Sequence, residues 1–72
     1  MALHDVTEVF VVQDRETGAF IDINMTPVTS LRHAARCESR ELARECVNGA
    51  IYEGLLFFSE GYEIHPIFEL LE

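Results

Sequence analysis

SRELARECVNGAIYEGLLFF, residues 39–58, carries the clearest periodic pattern in this chain. Its apolar side chains recur every four residues in two neighbouring stripes: Leu42, Cys46, Ala50 and Phe58 in one, and Ala43, Val47, Ile51 and Leu55 in the other. This repeat is typical of a helix that buries one face. Ser39 suits the N-cap position. The rhythm continues through Asn48-Gly49, so we predict one unbroken helix over residues 39–58 that Gly61 stops.

Two strands are predicted before this helix. Residues 7–13 (TEVFVVQ) are mainly β-branched and aromatic, a composition that favours a strand. Residues 14–18 are polar and end in Gly18, which is typical of a hairpin loop whose last residue has a positive φ. Residues 19–25 (AFIDINM) then predict the return strand, with one face formed by Ala19, Ile21, Ile23 and Met25.

The remaining segments complete the predicted fold. Thr26-Pro27 closes the return strand and has the residue types of a helix start. Residues 28–37 are either a short helix or a loop with one helical turn. Residues 62–71 (YEIHPIFELL) predict a last strand, in which Pro66 requires an edge position or a bulge because it has no N–H. We therefore expect one α+β domain over residues 1–72: a three-stranded antiparallel sheet of ββαβ topology, order 2-1-3, with one long helix packed on one face.

This fold leaves apolar surface that one helix cannot cover. The first strand is apolar on both faces, and Tyr52 follows the polar row of the helix. The apolar residues that we assign to an interaction surface are Phe10, Val12, Tyr52, Leu56, Phe57 and Ile67. Contiguous apolar patches on a small protein usually mark an interface, so one hypothesis is a homodimer that pairs them. The alternative is that residues 28–37, or a frayed end of the helix, cover the second sheet face within one molecule.

The charge of the chain restricts its partners. Thirteen acidic residues and five basic ones, all arginine, give 72 residues a net charge of −8. Direct binding of nucleic acid requires the opposite sign, whereas a basic protein surface would be attracted. The acidic residues cluster towards the loops and the C-terminus: Asp14, Glu16, Asp22, Glu60, Glu63, Glu69 and Glu72. They either keep the protein in solution or imitate a row of phosphates, and we assign Asp14, Glu16, Asp22 and Glu63 to the interaction surface.

The arginines have their own pattern. Arg32, Arg36, Arg40 and Arg44 recur at every fourth position, which is the spacing of one helical row. One interpretation is that they pair with neighbouring glutamates and solvate the helix. The other is that they form a basic strip that binds a carboxylate or a phosphate.

No catalytic or metal motif is recognisable in the sequence. His33, Cys37 and Cys46 could share a metal, but a fourth ligand is not evident because His4 and His65 lie in distant segments. A cysteine nucleophile would need a neighbouring base and an electropositive pocket. We therefore expect no enzymatic activity, no metal and no cofactor.

The sequence also suggests where the protein acts. Its longest apolar run, residues 55–58, has four residues, whereas a membrane-spanning helix needs about 20. Residues 1–5 lack the basic and apolar regions of a secretory signal. A secreted domain of this size would usually have more than two cysteines. We expect a cytoplasmic protein that does not bind membranes.

Several short motifs occur together along the chain. An apolar strand precedes a charged turn ending in Glu16-Thr17-Gly18, and Ala34, Cys37, Ser39 and Ala43 follow the spacing Ala-x-x-(aromatic)-x-Ser-x-x-x-Ala, with cysteine at the aromatic position. With the terminal strand, this set resembles very short proteins encoded by phages and mobile elements. The resemblance implies a β-hairpin–helix–strand fold and a role in host takeover or evasion of host defences by steric binding. It implies no catalytic residues.

Two functions follow as expectations. The first is a small acidic inhibitor or adaptor that binds a host protein, such as a nucleic-acid-handling or defence complex, in the manner of an anti-CRISPR or anti-restriction protein. The second is a self-associating homodimer with a structural or regulatory role.

Overall fold

The computed structural model describes residues 6–70, so His4, Leu71 and Glu72 lie outside the described part of the chain. Within it the strands are β1 (Val6–Asp14), β2 (Phe20–Ile21), β3 (Pro27–Val28) and β4 (Tyr62–Leu70), and the helix is α1 (Arg40–Tyr52). The strands form an antiparallel sheet in the order β3-β2-β1-β4. The α+β class with one helix and an antiparallel sheet is thus confirmed, but the predicted count of three strands is wrong.

The two long strands of this sheet, β1 and β4, pair with each other although β2, β3 and α1 separate them in the chain. They pair without interruption from Val6 opposite Leu70 to Asp14 opposite Tyr62. Because directly opposed residues share a face, Val12 lies beside Ile64 beneath α1. Val11 and its partner His65 face the other way. The predicted neighbours of the first strand, which are the second strand and the last, are therefore correct.

The predicted return strand is interrupted at Asp22. Its Oδ1 atom accepts hydrogen bonds from the backbone N–H groups of Asn24 and Thr26, each at 2.9 Å. Met25 has a φ of 61°, and the Ile23 side chain is 81% exposed. An aspartate that caps its own turn competes with extended backbone. The chain therefore turns here, and Pro27 begins the outer strand β3, although Thr26-Pro27 also has the residue types of a helix start.

Of residues 28–37, Val28 belongs to β3 and the rest form a loop with a single 3-10 turn at Leu31–His33, which was one of the two alternatives. The segment then follows the edge of β1 beyond the short β2, where Phe10 and Cys37 exchange two backbone hydrogen bonds of 2.9 Å. From this edge the Arg36 side chain crosses β1 to an ion pair with Glu69 on β4 at 2.9 Å. Glu69 lies on the face opposite α1, so this loop covers part of the second sheet face.

The helix begins as predicted and ends early. Ser39 Oγ accepts a hydrogen bond from the Leu42 N–H at 3.1 Å, which caps the first turn. The helix continues through Asn48-Gly49 but ends at Tyr52. Gly54 has a φ of 82°, and the N–H of Leu55 reaches back to the Ala50 carbonyl at 2.8 Å. This pattern is a Schellman motif, so Gly54 stops the helix and the predicted stop at Gly61 is wrong.

The core beneath α1 is built from small side chains. The helix contributes Ala43, Val47 and Ala50, all at most 5% exposed, and small residues allow a close approach of helix and sheet. The other members of this buried cluster are Val12 and Ile21 of the sheet and Leu56 of the loop after α1. Leu42, Cys46 and Ile51 of the predicted stripes lie on α1 but remain exposed, because α1 buries only the face formed by Ala43, Val47 and Ala50. Leu55 lies beyond the end of α1 and is exposed as well.

Alanine substitutions at Gly49 and at Gly54 together test where the helix ends. Neither a Cβ at Gly49 nor one at Gly54 would meet another atom within 4 Å, but only Gly54 has a positive φ. Gly49→Ala should raise the free energy of unfolding by about 0.5–1 kcal/mol, because alanine is the better helix former. Gly54→Ala should lower it by about 1 kcal/mol, because the left-handed backbone disfavours a Cβ.

Urea denaturation followed by circular dichroism measures both changes. A stabilised Gly54→Ala variant would mean that the helix continues past Tyr52.

Candidate interaction surface

One half of the β1–β4 ladder has no helix above it. The guanidinium of Arg40, the first residue of α1, lies 5.3 Å from the centre of the Phe10 ring. The helix therefore extends from Phe10 towards the Asp14 end of the ladder and leaves the Val6 end open. Phe68 and Leu70 of β4, on the same sheet face, are 69% and 56% exposed. We call these two side chains the open sheet patch.

The outer edge of β4 is free among the described strands, because β4 ends the order β3-β2-β1-β4. Arg40 Nη1 donates a 2.8 Å hydrogen bond to the Ile64 carbonyl, so this carbonyl points outward. Alternate residues of an antiparallel strand share that direction. Pro66, Phe68 and Leu70 therefore also present their backbone to the edge. Arg40 and Pro66 block strand addition near residues 64–66, whereas the backbone of Phe68 and Leu70 stays open.

A second apolar patch surrounds the end of α1. Ile51, Tyr52, Leu55 and Phe57 are 37%, 92%, 63% and 83% exposed, and we call them the helix-end patch. The Tyr62 hydroxyl donates to Asn48 Oδ1 at 2.8 Å, which places this end of α1 near the first residue of β4. The two patches therefore lie towards opposite ends of a molecule whose longest dimension is 42 Å.

The apolar residues that the sequence assigned to the interaction surface differ in how exposed they are in the structure. Tyr52 and Phe57 are on the surface as expected. Val12 and Leu56 are 5% and 8% exposed and belong to the core, so they are not accessible to a partner.

The other two members are partly covered. Phe10 is half-buried beneath Arg40, and Ile67 is half-buried on the face opposite α1. The sequence did not assign Phe68 and Leu70 to this surface. They are exposed because α1 begins above Phe10 and extends away from their end of the ladder.

The acidic residues of the predicted surface have structural partners. Asp14 Oδ1 accepts the Glu16 N–H at 2.8 Å, and Asp22 caps the turn described above. The Glu63 carboxylate lies 3.2 Å from Arg15 Nε and 3.1 Å from His65 Nε2. The four carboxylates are not gathered on one face, because Asp22 lies in the turn between β2 and β3 and the others lie where β1 ends and β4 begins.

Glu16 also has a partner, because the Ser59 hydroxyl donates a hydrogen bond to its carboxylate. Ser59 belongs to the loop that leads into β4. This contact ties the first hairpin loop to the segment after α1, so Glu16 helps to hold two loops together at this end of the sheet.

The cysteines differ in their surroundings. Cys37 is half-buried, and burial, followed by the neighbouring Cys46, raises the pKa of its thiol. Cys46 is exposed and lines a shallow cleft of about 310 Å³ with Met25 and Leu55. A raised pKa reduces the thiolate fraction and so weakens a nucleophile.

Within residues 6–70, His, Cys, Asp and Glu side chains do not gather in any group of three or more that could hold a metal. Over the same residues, no helix has both the length and the apolar character needed to cross a membrane.

Comparison of the chain with models of protein families, with curated proteins and with solved structures found no match.

The two thiols should differ in reactivity. In single-cysteine variants, made by Cys37→Ser or Cys46→Ser, iodoacetamide should alkylate Cys46 several times faster than Cys37 at mildly alkaline pH. Cys37 is less accessible, and its raised pKa keeps it protonated at pH values where an ordinary thiol has begun to ionise. Mass spectrometry over time gives both rates. Equal rates in the folded protein would contradict the burial of Cys37, and unfolding in urea should make them equal.

Proposed function

We propose that this protein is a non-enzymatic module that binds another protein through the open sheet patch. The observation that carries the proposal is that Phe68 and Leu70 are exposed while their own backbone groups face a free strand edge. A partner could therefore contact apolar side chains and main-chain hydrogen-bonding groups of the same two residues. Protein partners use this combination when an extended segment adds to a sheet edge.

The open sheet patch is a better binding surface than the helix-end patch because it is more rigid. Phe68 and Leu70 belong to the nine-residue strand β4, which is paired with β1 along its whole length. Leu55 and Phe57 lie in the loop between α1 and β4, and ordering a loop costs conformational entropy on binding. Burying one large apolar side chain contributes about 1.5–3 kcal/mol, which is about tenfold to a hundredfold in Kd.

The charge of −8 favours a partner with a basic surface. Proteins that bind nucleic acid have such surfaces. Together with the resemblance to short phage proteins, this supports the narrower proposal that the partner is a host nucleic-acid-handling or defence complex. In that role the protein would inhibit by occupying a surface, as anti-CRISPR and anti-restriction proteins do.

Self-association is the second candidate. The same exposed patch could pair with its copy about a two-fold axis. Two copies would bring charges of −8 together, and salt screens such repulsion. A homodimer should therefore strengthen as salt is added, whereas a complex with a basic partner should weaken.

Substitutions on the sheet test the binding surface. Phe68→Ser should lower the affinity for a captured partner at least about tenfold, because a buried aromatic contact is lost. Ile23→Ser removes an equally exposed apolar side chain from the β2–β3 turn and should leave the affinity unchanged. Capture from a bacterial lysate at low salt, quantified by mass spectrometry, compares the three proteins. The proposal fails if no stoichiometric partner is retained, or if both substitutions have the same effect.

Sedimentation velocity distinguishes the second candidate. We expect the isolated protein to sediment as a species of 8.2 kDa at low salt. A dimer that strengthens with salt and is lost in Phe68→Ser would establish self-association through the patch. A monomer at every salt concentration would eliminate it.

A further inference from the structure

A groove of about 610 Å³ lies beside the edge strand β4, away from the open sheet patch. Its basic side chains are Arg15, Arg40, Arg44 and His65, and the acidic side chain in its wall is Glu63. Arg40 and Arg44 approach from α1, and His65 comes from β4. Of the five arginines of this acidic chain, three are therefore collected in one concave surface.

The predicted row of four arginines does not exist, since Arg32 and Arg36 precede the helix. Arg40 and Arg44 do stand one turn apart on α1, and like charges at this spacing repel. In the part of the chain that the structure describes, neither forms an ion pair with a carboxylate. The expected pairing of these two arginines with the neighbouring glutamates of the helix is thus not observed there.

The groove is also partly organised before any ligand arrives. Arg40 is held between the Phe10 ring and the Ile64 carbonyl, and its remaining N–H groups are available. Glu63 holds Arg15 through one oxygen and His65 through the other. The guanidinium of Arg44 completes the wall without a hydrogen bond to the described residues. A bound anion would therefore meet positioned donors from two sides of the groove.

From this geometry we propose that the groove binds a multivalent oxyanion, either a phosphate group or a cluster of carboxylates. Guanidinium groups present planar pairs of N–H donors that match both kinds of anion. A ligand with several charged oxygens can contact the arginines of α1 and Arg15 together, and the one carboxylate of Glu63 cannot neutralise all of them. The net charge of −8 does not prevent this, because charges more than about 10 Å apart are screened at moderate salt.

The test is calorimetric titration of the full chain at constant ionic strength. Pyrophosphate and tricarballylate are the probes, for phosphate and carboxylate chemistry respectively. Arg44→Ala should weaken binding of the preferred probe about tenfold, because one charge-assisted interaction is lost. Arg32→Ala is the control, since it removes the same charge from an exposed arginine outside the groove. Arg40→Ala should weaken binding as well.

Saturable binding of one molecule per chain that Arg44→Ala weakens and Arg32→Ala does not would support the site. Tighter binding of pyrophosphate would assign it to phosphate groups, and tighter binding of tricarballylate to carboxylates. The proposal is overturned if neither probe saturates, or if the two arginine variants bind alike. Neither result bears on the open sheet patch, which has no arginine.

Discussion

The antiparallel pairing of β1 with β4, over nine residues of each strand, controls how the other elements pack. Its register fixes which side chains face α1 and which face the opposite side, and a shift by one residue would exchange the two sets. It places Val12 and Ile64 beneath the helix. It also makes β4 an edge strand, and both proposed binding surfaces lie along that edge.

The position of the helix along the sheet decides what remains exposed on this scaffold. Thirteen helical residues span about 20 Å, whereas nine paired residues of β4 span about 30 Å. Since α1 begins above Phe10, it cannot also cover the other end of the ladder. The start of α1 beside Phe10, and not its end near Gly54, therefore leaves the end of the sheet that carries Phe68 and Leu70 open.

The edge of β4 is divided into two chemically different halves. At residues 64–66 a proline without an N–H and a carbonyl already bound by Arg40 prevent another strand from adding. This half has arginines beside it and suits an anion. At Phe68 and Leu70 the backbone is free and the side chains are apolar, so this half suits a protein segment. The second sheet face, in contrast, is partly covered by the loop that carries Arg36.

Sequence alone determined the features that depend on local chemistry. These are the α+β class, the Ser39 cap, the positive φ of Gly18 and the neighbours of the first strand. Of the apolar residues that the sequence assigned to an interaction surface, Val12 and Leu56 are buried, and it did not include the exposed Phe68. Burial was decided only by the tertiary structure, because it depends on where distant segments stop. Asp22 ends the return strand and Gly54 ends the helix, in each case through local hydrogen bonds that compete with the apolar pattern. The residue types alone do not show whether the hydrogen bonds or the apolar pattern will prevail.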